Sequence, residues 1–199
     1  TEQIYRKLIE QVLEKINGKT ILEVISIRLR ESKLINDIIF AIPGTPNEIL
    51  LKKFLVKSKL HIFEGNENDV LDRYYNCAKK NKSDIIVRIT GDCALTDASI
   101  VDSLINTLIN DKLDFVSNYS PPTFPDGLDV SVCTYNALRK AWNLSTSKPD
   151  REHVMNYFIK KNFFKTKNIS YKSNLSAERW TLDWPEDLIV LKKIFANFK

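Results

Sequence analysis

Glycine is scarce in this chain, with five in 199 residues. That leaves little material for a glycine-rich phosphate cradle. No Gly-x-Gly-x-x-Gly fingerprint occurs, and Gly18-Lys19-Thr20 lacks the upstream glycine that a P-loop needs. A serine-hydrolase elbow is missing as well, because no Gly-x-Ser-x-Gly is present. The three cysteines, Cys77, Cys93 and Cys133, lie far apart and form no Cys-x-x-Cys or Cys-x-x-His pair. This argues against a zinc site and a disulfide framework, and for a reducing, cytoplasmic compartment. No apolar run approaches the ~20 residues of a membrane span. The opening TEQIYRKLIEQ is charged and unlike a signal peptide. It does not begin with Met, which points to a chain cropped at that end.

What is present is ordinary for a globular domain: 43% hydrophobic and 28% charged residues. The length suits one domain with a real core, and neither a linker nor a repeat divides it, so 1–199 reads as a single α/β unit. Lys and Arg number 30 against 25 Asp and Glu, a net +5 spread along the chain. This suits an anionic ligand such as a phosphate or nucleotide and does not mark a nucleic-acid partner. The plainer reading is a solvated lysine-rich surface.

Strand and helix patterns alternate. Ile4, Leu8, Val12 and Ile16 share one helical face, ended by Gly18. Thr20 and Glu23 form a capping box for a helix to about Arg30. A strand is expected at 37–42. Thr45-Pro46-Asn47-Glu48 then opens a helix to about Lys57. Further strands are expected at 60–63, 84–90, 113–118, 128–134, 168–172 and 178–183. Helices are expected at 68–80, from Asp97 to about Ile109, at 135–143, at 151–161 with Asp150 as cap, and from Pro185 onward. Residues 84–90, apolar and β-rich, read as a central parallel strand. Such alternation gives a mainly parallel sheet covered on both faces.

In open α/β sheets, ligands bind beyond the carboxyl ends of the strands. Asp92 follows 84–90, Asp183 closes the last strand, and Asn118 ends 113–118. Two carboxylates so placed can share one magnesium ion, which takes one or two protein carboxylates plus substrate phosphates. The plainer reading makes Asp92 a turn residue and Asp183 a helix cap before Pro185. Arg88 is a charge inside an apolar strand and needs a partner. Arg151 and His153 at a helix start suit an anion, or are simply solvated. His61 reads as structural, and Trp180 and Trp184 as packing.

The segments EGNENDVLDRYYNCAKK, DIIVRITGDCALTDASIVD, SNYSPPTFPDGLDVSV, REHV and RWTLDWPEDL resemble, in order and spacing, the spore coat polysaccharide biosynthesis protein F family. That family belongs to the cytidylyltransferase group, alongside the synthetases of CMP-activated Kdo and sialic acid. The resemblance covers about 13–198. It implies a three-layer α/β/α nucleotidyltransferase fold with a mainly parallel sheet. It further implies an enzyme that joins CTP to a sugar or sugar-like acceptor, using magnesium and releasing pyrophosphate, in surface polysaccharide biosynthesis. By resemblance Asp92 and Asp183 hold the metal, and Arg88 and Asp92 are catalytic. Asp126, Gly127, Asp129, Arg151 and His153 lie near the acceptor, and Lys19 is a local cation for the nucleotide. Relatives often pair through a strand arm, and 128–134 is the candidate arm for a homodimer.

One departure stands out. The family opens with a strand and a Gln-Ala-Arg-x-x-Ser-x-Arg-Leu-Pro-Gly-Lys loop that cradles the triphosphate. Aligned on Ile16-Asn17-Gly18-Lys19, Thr1 to Gln11 fall on that loop, with Glu2 replacing its Arg and Gln11 its Lys. Three readings follow. The strand and loop lie outside this sequence, or the enzyme is divergent, or the domain binds without transferring. A glycosyltransferase using a nucleotide sugar is a further alternative. On this reading the chain binds CTP weakly.

Overall fold

The computed structural model describes residues 13–197. It opens on a small hairpin. Strand β1 (Lys15–Ile16) pairs antiparallel with β2 (Lys19–Thr20) across Asn17 and Gly18, whose φ angles are 50° and 80°. Asn-Gly is the residue pair that tolerates two positive φ angles in a two-residue turn. The expected helix therefore does not reach Ile16, and its residues 4–12 lie outside the described residues. The Asn17 side chain donates to the Phe195 carbonyl, tying the hairpin to the last helix.

Helix α1 (Ile21–Leu29) starts at the predicted capping box. The Thr20 hydroxyl accepts from Glu23 N, and the Glu23 carboxylate accepts from Thr20 N at 2.9 Å. β3 (Ile39–Pro43) and β4 (His61–Gly65) form a parallel pair through α2 (Ile49–Lys57). The connection differs in detail from the prediction. Pro46–Glu48 is a 3₁₀ turn, and Thr45 makes no capping bond. α3 (Val70–Lys80) is capped by Asp69 and leads to β5 (Ile85–Arg88). α4 (Ala98–Asn110) is capped by Asp97. β6 (Phe115–Ser117) and β7 (Ser131–Thr134) follow, then α5 (Tyr135–Leu144). The expected helix at 151–161 is two short ones, α6 (Lys148–Glu152) and α7 (Asn156–Lys160), and Ser147, not Asp150, caps the first. β8 (Thr166–Asn168) and α8 (Pro185–Asn197) complete the fold. The stretch 178–183 is no strand. It makes one isolated bridge, Asp126 to Arg179.

Among the described residues the larger sheet has the order β5-β7-β6-β8. β7 runs antiparallel to both β5 and β6, and β6 is parallel to β8. The sheet is therefore mixed, and β5 stands at its edge beside an antiparallel neighbour, not in the centre of a parallel run. β7 has both of its edges paired, with Val132 and Cys133 fully buried. It is thus not available as the arm proposed for a homodimer.

Three layers follow from the alternation along these strands. Val116 and Val132 point to one face and join a core with α1, α2, α4 and α8. Their neighbours Phe115, Cys133 and Ile86 point to the other and pack with α3, α5 and α7. All three cysteines are free thiols, and burial pushes Cys93 and Cys133 up to about 12, which keeps them unreactive.

Glycine scarcity shows at the helix ends. α2, α3 and α4 each end on a lysine in the left-handed conformation: Lys59 (φ 56°), Lys82 (φ 52°) and Lys112 (φ 52°). In each case the next residue donates back five positions, as Ser83 N does to the Ala78 carbonyl at 3.0 Å. This is the terminating bond that glycine usually serves. Lys82→Gly should therefore raise stability by about 0.5–1 kcal/mol, since a side chain in this conformation is strained. Chemical denaturation checks it, and a fall in stability would contradict the strain.

Candidate active site

Three separate segments meet beyond the strand ends. The first leaves β5 as Ile89-Thr90-Gly91-Asp92. The second is the loop carrying Asp126, Gly127 and Asp129. The third runs from Arg179 to Asp183. They are joined through their backbones. Leu182 N donates to the Asp92 carbonyl at 3.1 Å, Trp180 N to the Asp126 carbonyl at 2.7 Å, and Asp126 N to the Glu178 carbonyl at 2.9 Å.

Gly127 makes the second contact possible. Its φ is +104°, and a Cβ there would lie 2.7 Å from the Trp180 carbonyl carbon and 2.9 Å from Thr181 N. Both the conformation and the approach exclude a side chain. On the third segment Thr181 and Leu182 are buried, while Asp183 faces outward. The Thr181 hydroxyl donates to Asp183 Oδ2 at 2.6 Å.

The result is a group of interacting carboxylates. Burial raises the Asp126 pKa, and the charges of Asp183 and Asp92 raise it further. Burial also pushes Asp129 up to about 6, with Asp126 and Asp92 adding to the effect and Arg88 opposing it. Asp92, Asp126, Asp129 and Asp183 thus concentrate negative charge at one end of the fold.

Beside them lies a cavity of about 180 Å³, lined by Arg88, Tyr119, Asp129, Ser131 and His153, with Thr90, Met155 and Asn156 completing the wall. Arg88 Nε is buried with no hydrogen-bond partner among the described residues, and Tyr119 stands within hydrogen-bonding reach of Ser131. A buried guanidinium N–H with a cavity before it suits a polar ligand.

The sequence-predicted residues divide into two groups. Asp92, Asp126, Gly127, Asp129 and Asp183 meet, and Arg88 and His153 reach the adjoining cavity. Arg151 does not. Its Nε pairs with Asp69 Oδ2 at 2.5 Å, and its Nη1 donates to the Trp142 and Ser145 carbonyls. It clips α6 to α3 and α5, away from the cavity lining. Lys19 sits exposed on the β1–β2 hairpin, where the carboxylate it acts on is Glu23. Asn118 is a buried brace, bonded through its amide to Leu128 and Val130. Trp180 packs on the larger core, as expected, whereas the Trp184 ring is 58% exposed.

Sequence reasoning missed Tyr119, Ser131 and Asn156, which no motif marks, and the pair Arg179 and Asp187. The signal for Asp187 was its place in the first turn after Pro185, where a carboxylate reaches back to free amides.

With this geometry in view, the chain matches the cytidylyltransferase family over residues 6–195. It belongs to that family. It is 34% identical over 196 residues to an uncharacterized protein of Methanocaldococcus jannaschii, covering 97% of this chain and 79% of the relative. It is 20% identical over 193 residues to spore coat polysaccharide biosynthesis protein SpsF of Bacillus subtilis, covering 93% and 79%. A solved cytidylyltransferase from Leptospira borgpetersenii serovar Hardjo-bovis superposes with a TM-score of 0.89 at 28% identity, covering 95% of this chain and 81% of that one. The resemblance to the spore coat protein F group and the nucleotidyltransferase fold both hold.

Two predictions follow. Gly127→Ala should cost about 2–4 kcal/mol, from a strained φ plus a backbone clash, in denaturant titration. A neutral result would mean that the loop does not sit as close to Trp180 as described. Asp129 has a folded pKa raised above its unfolded value, so its contribution is present below about pH 4 and is lost as pH rises through about 6. Asp129→Asn should therefore raise the melting temperature at pH 7.5 in the absence of metal, and the gain should vanish by pH 4. An equal effect at both pH values would contradict the raised pKa that burial and the neighbouring carboxylates give Asp129.

Proposed function

We propose that this protein transfers CMP from CTP to a hydroxyl of a sugar or sugar-like acceptor, in surface polysaccharide biosynthesis. The observation that carries the reading is the meeting of Asp92, Asp126, Asp129 and Asp183 beside a polar cavity, in a chain of the cytidylyltransferase family. The name of the Bacillus subtilis relative supports the polysaccharide context.

Magnesium suits the donor set, because hard carboxylate oxygens gather there, close enough for the charges of Asp92 and Asp183 to add to the burial that raises the Asp126 pKa. Among the described residues no group of three or more His, Cys, Asp or Glu is arranged to hold a metal. Asp92 and Asp183 would therefore hold magnesium together with substrate phosphates and water, its usual mode. When bound, the ion offsets the triphosphate charge and that of the departing pyrophosphate.

The chain's own residues would do the rest. Arg88, Tyr119, Ser131 and His153 seat the acceptor in the cavity. The acceptor hydroxyl oxygen attacks the α-phosphorus of CTP, the bond to the β-phosphate oxygen breaks, and pyrophosphate leaves. Asp129 takes the hydroxyl proton, and a pKa of about 6 lies close to the useful range for that task.

A second reading has its own support. Aligned without gaps on Ile16-Asn17-Gly18-Lys19, Glu2 and Gln11 fall where the family's loop carries Arg and Lys, and this supports a domain that binds without transferring. Pyrophosphate release from CTP, magnesium and a panel of acidic and neutral sugars separates the two. Transfer predicts acceptor-stimulated, magnesium-dependent release that Asp92→Asn lowers at least about 100-fold. No release with any acceptor, together with weak or undetectable CTP binding, would support the second reading and overturn the first.

A further inference from the structure

Arg179 and Asp187 lie outside the carboxylate group yet govern one of its members. The Asp187 side chain is 9% exposed. Its Oδ2 accepts from Asp183 N at 3.0 Å, from Trp184 N at 2.8 Å and from Arg179 Nη1 at 2.6 Å, while Oδ1 accepts from Arg179 Nη2 at 2.6 Å. Arg179 Nη1 also stands 3.4 Å from Asp183 Oδ2, the same oxygen that the Thr181 hydroxyl reaches.

We propose that Arg179 is a positioning residue for Asp183, acting through Asp187 to fix the backbone and carboxylate that face the metal. The inference rests on the reading of Asp183 as a metal-side ligand. A planar guanidinium bonded at two points sets the Asp187 carboxylate in one plane, and a lysine ammonium cannot reproduce that. Asp187 in turn holds two consecutive amides, so the direction in which Asp183 leaves the backbone is fixed before any ligand arrives.

The Arg179 backbone stands opposite Asp126 in an isolated bridge made by the Glu178 and Trp180 hydrogen bonds, and the Arg179 charge opposes the raised pKa of Asp126. Groups that orient a ligand from behind typically matter 10- to 100-fold in metal affinity.

The test combines manganese affinity in the presence of CTP, read by electron paramagnetic resonance, with amide exchange at Asp183 and Trp184 in the metal-free protein. Arg179→Gln should weaken manganese binding by about 10- to 100-fold and speed exchange at both amides, with Arg179→Lys in between. Asp183→Asn is the reference for loss of the ligand itself. Unchanged affinity and unchanged protection in folded Arg179→Gln would overturn the proposal. If wild type and Asp183→Asn bind manganese alike, the metal reading fails and the positioning role falls with it. If Asp183→Asn loses the ion while Arg179→Gln keeps it, the metal reading stands and this proposal alone is overturned. Should Arg179→Gln not fold, Arg179→Lys carries the same test, since it keeps the charge without the two-point geometry.

Discussion

The Leu182 amide donates to the Asp92 carbonyl while its side chain is buried in the larger core, and the rest of the site is positioned from that double attachment. A fully buried leucine is worth about 1.5–3 kcal/mol. That burial pins the third segment to the fold from below and leaves Asp183, the next residue, facing outward. The loop of Asp126 and Gly127 then rests on the same segment through Trp180, and only a glycine permits so close an approach. Three segments distant in sequence thus form one surface.

That surface is costly without a ligand. Burial first, and the neighbouring carboxylates after it, raise the pKa of Asp126 and of Asp129, the sign that negative charge is held there at a cost. Arg88 and Arg179 relieve it in part. On the proposed reading, a bound cation would relieve the remainder.

Much of this was legible in the sequence. The capping box at Thr20 and Glu23 marked the start of α1, the strand–helix alternation placed most of the elements, and Gly91-Asp92 and Leu182-Asp183 marked two of the meeting segments. Other features depend on long-range contacts that periodicity does not carry. The stretch 178–183 alternates like a strand, but its hydrogen-bonding partner is a loop, so only a single bridge forms. Strand β5 has the composition of a buried strand, yet composition does not reveal that its neighbour β7 runs antiparallel. Arg151 and His153 stand two positions apart where a helix turns about 100° per residue, which sends one toward Asp69 and the other to the cavity. The hairpin at Asn17 and Gly18 was readable from its turn pair but was masked by four apolar residues at helical spacing.

The account requires Asp92 and Asp183 to act on one ion with the nucleotide's phosphates. A crystal structure with manganese and CTP, read by the anomalous signal of the metal, tests this most directly. The prediction is a single manganese peak bonded to carboxylate oxygens of both Asp92 and Asp183 and to phosphate oxygens. A nucleotide-bound structure whose manganese touches neither aspartate would contradict it.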